Sequence, residues 1–509
     1  MVIVLNFGSQ FVHLIARRVR DLGVKAEILP CDVSLEQILA LRPAGIIFSG
    51  SPSSVLNAGH PAPDKRIFDA RIPILGICYG EQIMAQILGG RVEKGKKREY
   101  GKEVLAIKRN ALFRGLTPKE IVWFSHGDQV SRAPKGFRTI AKTHGCRIAG
   151  MADIKRNLWA IQFHPEVTHT KHGMRILSNF LFRIAKAKKD WKLPALLPQL
   201  ESSLRNEIRN NHVAIGISGG VDSLVAATIL YRAIGSRLHT VFVDTGLLRK
   251  NEAQEVCRSL KRRGFKNLHM INAQNIFLNR LKGKTDPEEK RKIIGHTFIE
   301  VFESTLKKEL KKHDVKFLAQ GTIYPDRIES ASTSPHASKI KSHHNLTLPK
   351  NIKLKIIEPL KEFYKDEVRE LGRALGLPQE LVWRHPFPGP GLGIRIIGEV
   401  TEDRLQMLRE ADAIFRDELR RAGEYDAIWQ AFAVLLPVRS VGVMGDERTY
   451  EYMIALRAVD SIDGMTADWH KIPEDLLERI SSKIVGSVRG VNRVLYDITQ
   501  KPPATIEYE

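Results

Sequence analysis

Ile215-Gly216-Ile217-Ser218-Gly219-Gly220-Val221-Asp222-Ser223 is the stretch that decides how this chain is read. Its first residues complete an apolar strand, Val213–Ile217, and Leu224 to Ala233 follow with the apolar density of a helix. A strand that turns through glycines into a helix N-terminus offers an anion three things: open backbone N–H groups, hydroxyl donors (Ser218 and Ser223) and the positive end of a helix dipole. The lysine of a Walker A loop is absent, so this is a phosphate cradle of another kind. A plain glycine-rich turn is the bland alternative, and SGGxDS placed directly after a strand weighs against it.

Outward from this loop the strand-then-helix rhythm recurs. Val2–Leu5, Gly45–Phe48 and Ile72–Ile77 are short apolar runs, and Phe11 to Leu22 has helical spacing that stops at Gly23. Thr240–Val243 and Phe317–Ala319 continue the pattern downstream. Such alternation predicts an α/β protein with two parallel sheets covered by helices. Lys186 to Pro198, charged and carrying two prolines, reads as a linker. A third region opens at the Pro/Gly-rich run Arg384 to Gly391. Its first helix, about Glu402 to Ala422, places Leu405, Leu408, Phe415 and Leu419 on one face. Three domains are therefore expected: 1–188, 189–383 and a smaller α+β domain at 384–509.

The 509 residues exceed what one core holds, and 43% hydrophobic with 27% charged content describes an ordinary globular composition. No apolar run approaches the ~20 residues of a membrane helix, and the strand-like opening predicts no leader. Cys31, Cys78, Cys146 and Cys257 are scattered and form no CxxC, which argues against a disulfide framework and for a reducing, cytoplasmic setting. The net charge of +23 invites a nucleic-acid reading. Lysine and arginine are nevertheless spread along the whole length without interleaved stacking aromatics, so a solvated surface and polyanionic small substrates are the better expectation. Nucleic acid and membrane are not expected partners.

A second chemical site lies upstream. Gly76-Ile77-Cys78-Tyr79-Gly80 sits between a strand and the helical run Glu81 to Leu88, with small residues on both sides of the cysteine. That is a nucleophile elbow, and a thiol at a helix N-terminus is biased toward thiolate. A buried core cysteine is the bland reading. His164-Pro165-Glu166 follows another strand-like run, Leu158 to Phe163, so His164 can act as base with Glu166 orienting its ring. The Gly50–Ser54 loop supplies a backbone N–H at Gly50 beside that of Tyr79, a candidate oxyanion hole.

On these residues the first region resembles class I glutamine amidotransferases, with a Cys78–His164–Glu166 triad and a flavodoxin-like fold. The 215–223 loop resembles that of N-type ATP pyrophosphatases, on an adenine nucleotide α-hydrolase-like fold. The second resemblance implies ATP held by Ser218, Gly219, Gly220, Val221, Asp222, Ser223 and Gly321, adenine beside Val243 and Leu248, and Mg²⁺ held on pyrophosphate by Asp222.

Asp286 to Gly295, Gly321 to Ser330, Lys341 to Asn345, Ser440 to Asp446 and Lys501 to Glu507 resemble the glutamine-hydrolysing GMP synthase family. That resemblance implies a lid of Asp326, Glu329, Lys341, His343 and His344. It implies XMP contacts at Arg291, Gly389, Gln430, Arg493, Lys501 and Glu507, and a homodimer through the C-terminal domain. The implied reaction turns XMP, ATP and glutamine into GMP, AMP, pyrophosphate and glutamate. Ser51, Glu81, Arg327, Glu447 and a short stretch after Asn345 depart from the family pattern, and Glu81 is expected to add a negative charge near the thiolate. The rival readings are another amidotransferase of this loop class, such as a glutamine-dependent NAD synthetase, and a tRNA-modifying protein.

Overall fold

Runs that alternate little and are apolar throughout form central parallel strands, because both faces of such a sheet are covered. Val2–Asn6 (β1), Gly45–Phe48 (β3), Ile74–Ile77 (β4) and Leu158–Ile161 (β9) answer to this, with the half-buried Ala26–Pro30 (β2) at the sheet edge, and β3, β4 and β9 are buried at every residue. The computed structural model describes residues 1–331, 354–444, 447–461 and 466–509. Two compact units emerge, the first chiefly Met1–Leu196 and the second chiefly the chain from Leu197 onward.

The first unit holds a nine-stranded sheet in the order β2-β1-β3-β4-β9-β8-β7-β5-β6. Its β2-β1-β3-β4-β9 half is parallel. The other half is an antiparallel extension of Arg91–Ile107 (β5), Lys119–Arg132 (β6), Arg138–Lys142 (β7) and Gly150–Asp153 (β8). The parallel sheet expected from the sequence is the first of these halves, and β5–β8 extend it. β6 alternates buried and exposed residues in its first half, the mark of a strand with one wet face.

The second unit carries a five-stranded parallel sheet in the order β12-β11-β10-β13-β14. These strands are His212–Ile217 (β10), Leu238–Asp244 (β11), Asn267–Asn272 (β12), Val315–Ala319 (β13) and Lys355–Ile357 (β14). A further sheet in the same unit pairs Gln430–Met444 (β15) with Glu447–Asp460 (β16), and adds Asp468–Trp469 (β17) and Val491–Tyr496 (β18). One hydrophobic cluster runs from Ala214 and Val243 through Leu392 to Leu408, Ile454 and Val491, so the two sheets share a core. The Glu402–Arg421 helix buries Leu405, Leu408, Phe415 and Leu419 in it, as the spacing requires.

The linker expected over Lys186–Pro198 is shorter than read, because Leu193–Ile208 is a helix with Pro198 inside it. Pro194 stands in the first turn, where no intrahelical N–H is needed, and Leu193, Leu197, Leu204 and Ile208 are buried. Burial of that stripe outweighs the single backbone bond that Pro198 removes. No helix of the described residues is long and apolar enough to cross a membrane.

Candidate active site

Cys78 follows β4 and is the N-cap of the Tyr79–Ile87 helix, with φ at 55°. A non-glycine residue with positive φ is strained and is held there by its surroundings. Here the restraint is packing. A methyl group on Gly76 would lie 2.5 Å from the Gly80 carbonyl oxygen, and one on Gly80 would lie 2.8 Å from the Cβ and carbonyl oxygen of Phe48. Only hydrogens fit at either position, so the chain turns sharply and the cysteine sits at its apex. The Cys78 N–H donates to the Ile161 carbonyl at 2.8 Å, tying the elbow to the end of β9.

Three residues beyond Ile161, His164 is almost wholly buried, and its Nδ1 lies 2.7 Å from Oε1 of the equally buried Glu166. The Thr170 hydroxyl donates to the His164 carbonyl at 2.6 Å, and the His164 N–H donates to the Trp123 carbonyl at 3.0 Å, fixing the backbone beneath the ring. Burial alone would push this imidazole down. Glu166 and then Cys78, which also hydrogen-bonds the ring, outweigh it and hold His164 well above its ordinary value. Gly50 completes the cluster: a Cβ there would stand 3.4 Å from His164 Cε1 and 3.8 Å from Cys78 Cβ. Tyr79 is the first helical residue, its hydroxyl engaged by the Pro61 carbonyl at 2.7 Å. All five residues singled out in this region thus come together.

In the second unit, the loop after β10 is folded on itself by its own hydroxyls. Ser223 Oγ accepts from the Ser218 N–H at 3.2 Å and donates to the Gly220 carbonyl at 3.1 Å, while Ser218 Oγ accepts from the Gly220 N–H at 3.3 Å. Gly219 takes φ of +80°, and Gly220 caps the Val221–Ile234 helix. Gly321 abuts the loop, since a Cβ there would lie 3.3 Å from the Ser223 nitrogen. Asp222 Oδ2 pairs with Lys365, whereas its buried Oδ1 has no hydrogen-bond partner among the described residues. An orphaned carboxylate oxygen in a phosphate cradle suits a hard divalent cation, so the donor set fits Mg²⁺. Val243 lies in the shared core, and Leu248 accepts at its carbonyl from Arg409 Nε at 3.1 Å.

A third group of residues meets around Arg395. Its fully buried guanidinium grips Glu507 at 3.0 and 2.7 Å, and Gln430 Nε2 donates to the same carboxylate at 2.7 Å. Arg291 bonds the Glu509 carbonyl. Buried Lys290 pairs with the Glu509 carboxylate and donates to the carbonyls of Ile396 and Gly398 at 2.8 and 3.0 Å. Gly389 has open space on its side-chain face. Arg493 is exposed on β18, and Lys501 bridges Ala467 through its backbone.

Residues 3–184 match the family model described as glutamine amidotransferase class-I, and residues 417–508 match that described as GMP synthase C terminal domain. The chain is 55% identical to the GMP synthase (glutamine-hydrolyzing) of Carboxydothermus hydrogenoformans, covering 100% of this chain and 99% of that one. It is 51% identical to that of Nitratidesulfovibrio vulgaris strain DP4 (100% and 99%) and 52% identical to that of Bartonella bacilliformis (100% and 98%). The chain belongs to the glutamine-hydrolysing GMP synthase family.

Against the GMP synthase pattern the departures become intelligible. Ser51 is not among the residues with positive φ, so a side chain is tolerated in that loop. Glu81 is fully buried, and neither carboxylate oxygen has a hydrogen-bond partner among the described residues. Burial first, then Cys78, pushes its carboxyl well above the usual range. Both effects oppose the extra negative charge that its sequence position predicts. Arg327 pairs with Glu362 and lies over the Tyr324 ring at 5.0 Å, a role no aliphatic side chain could fill. Glu447 is an exposed residue at the start of β16, and nothing in the structure explains it.

Of the lid residues, Asp326 accepts from the Ile323 N–H at 3.1 Å. Lys341, His343 and His344 lie outside the described residues, as does the side chain of Glu329. The sequence reading missed Lys365, Lys290 and Arg395. Lys365 and Lys290 sit in ordinary charged stretches and Arg395 in an apolar one, and only the fold gives each its acidic partner.

Proposed function

We propose that the chain converts XMP to GMP, using ammonia released from glutamine in the first unit and ATP split between its α and β phosphates in the second. The observation that carries this is identity above 50% over essentially the full length of GMP synthases, joined to the Cys78–His164–Glu166 geometry.

In this reading Cys78 Sγ attacks the carboxamide carbon of glutamine. The oxyanion is met by the N–H groups of Gly50 and Tyr79, and ammonia leaves with a proton from His164. His164 then takes a proton from water, which cleaves the thioester to glutamate and restores the thiol. Glu166 holds the ring and supports its charged form.

In the second unit, Ser218 to Ser223 and Gly321 cradle the ATP phosphates, with adenine beside Val243 and Leu248. Asp222 would hold Mg²⁺, which would supply positive charge against the departing pyrophosphate. O2 of XMP attacks the α-phosphorus, ammonia adds at C2, and AMP leaves. Gln430, Glu507 and Gly389 position the base, while Arg291, Arg493 and Lys501 meet the nucleotide phosphate. Asp326, Glu329, Lys341, His343 and His344 cover the reacting groups. We also propose a cytoplasmic homodimer formed through the C-terminal region, and three domains divided near residues 188 and 383.

The test is a single assay with XMP, ATP, Mg²⁺ and glutamine. GMP and AMP should appear in equal amounts. ADP in place of AMP, or no GMP, overturns the reading. Turnover of the deamido form of NAD instead would establish the rival synthetase.

A further inference from the structure

At the end of the parallel sheet opposite the phosphate loop, three imidazoles converge from distant points of the sequence. His212 is the first residue of β10, His239 the second of β11, and His313 the last of the Pro287–His313 helix. One ligand nitrogen from each lies within 4.8 Å of the others. His212 Nδ1 stands 2.9 Å from His239 Nε2, and the His313 ring is centred 4.6 Å from that of His239. His239 is fully buried, His212 is half-buried and His313 is exposed, so the cluster has an inner anchor and an open mouth. On the far side, His239 Nδ1 lies 3.3 Å from Nε2 of His269 on β12.

We propose that His212, His239 and His313 form a structural site for a transition-metal dication of the zinc class. Three neutral imidazoles are a donor set that suits Zn²⁺, Co²⁺ or Ni²⁺ and not Mg²⁺ or Ca²⁺. His239 Nε2 and His212 Nδ1 already face each other, and side-chain rotations of under about an ångström open the spacing that metal–nitrogen bonds of about 2.0–2.1 Å require. His269 takes the outer role, its Nε2 within hydrogen-bond reach of His239 Nδ1.

The local field is mixed. His313 stands at the C-terminal, negative end of a 27-residue helix. The charged groups facing His212 are Arg237, which opposes a cation, and Asp314, which favours one.

β10 runs the whole way from His212 to the phosphate loop, roughly 20 Å at ~3.3 Å per residue. The metal therefore staples β10, β11 and the helix together without touching the chemistry.

The test uses the full chain stripped with chelator and desalted, then titrated with ZnCl₂ or CoCl₂ by calorimetry and equilibrium dialysis. The wild type should bind about one ion more per chain than His313→Gln or His212→Gln, with a tetrahedral cobalt absorption band that those variants lack. Zinc should also raise the thermal midpoint of the wild type and leave that of the variants unmoved. Because His313 is exposed, its variant retains the fold, and ammonium-dependent turnover equal to wild type verifies this. Equal stoichiometry and affinity in the wild type and both variants overturns the site.

Discussion

Arg395 and Glu507, 112 residues apart in sequence, meet as a two-pronged ion pair whose guanidinium is wholly out of water. Gln430 donates to the same carboxylate. Glu507→Ala leaves a buried cation without its anion, a change that costs about 3 kcal/mol. The unfolding midpoint of the second unit should fall accordingly, and KM for XMP should rise about tenfold or more. Glutaminase turnover should be untouched. An unchanged midpoint together with an unchanged KM would show that the pair matters to neither stability nor binding.

Glu166 sets the charge of His164. Because His164 is held above its ordinary value in the folded protein, the bonus from its charged form is full below pH ~6.5 and fades as pH rises through the folded value. Glu166→Gln removes the main partner of that charged form. The His164 resonance, followed by NMR, should titrate at lower pH, and glutaminase kcat should drop about 100-fold. Ammonium-dependent synthesis should persist in this variant. Titration at the wild-type position would refute the assignment.

Glu81 works in the opposite sense to a surface carboxylate. Burial and then Cys78 raise its carboxyl in the folded protein above the unfolded value of ~4.3, so stability should fall by about 1.4 kcal/mol per pH unit above that pH until the folded value is reached. Glu81→Met fills the same buried position without a titratable group. Its gain in stability over the wild type should therefore be larger at pH 8 than at pH 5. Parallel stability curves for the two proteins would show that Glu81 is ionised in place.

The glycines beside the nucleophile leave no room for a methyl group. Gly80→Ala should cost about 3 kcal/mol or more in the first unit, and abolish glutamine use even with Cys78 intact. Cys78→Ala, by contrast, should abolish glutamine use without loss of stability and leave ammonium-dependent GMP formation near wild type. Thermal unfolding of the two variants side by side separates these cases.

Much of this was legible in the chain itself. Gly45–Phe48 was delimited correctly because an apolar run bounded by glycine or proline has no other stable use, and the Glu402 helix declared its buried face by spacing alone. The elbow and the phosphate loop were readable because each is a local motif whose chemistry depends on immediate neighbours. What escaped is non-local. β5 carries too many lysines and glutamates to read as a strand until β6 is seen pairing with it. The proline-bearing helix at Leu193 resembles a linker until its leucines find a core. Glu81 looks like a charge until its burial is known. The four histidines at 212, 239, 269 and 313 are unremarkable one by one, and become a cluster only through the parallel register of three strands and the end of one helix.

The tight turn at Cys78 also separates two kinds of genetic accident. Its shape depends on Gly76 and Gly80 and owes nothing to sulfur. A lineage that already draws on free ammonium can therefore lose the thiol in one codon change and keep an intact first unit. A codon change two positions to either side destroys that unit. Silencing the glutaminase is thus a smaller evolutionary step than removing it, and inactive descendants should be sought among chains that retain both glycines.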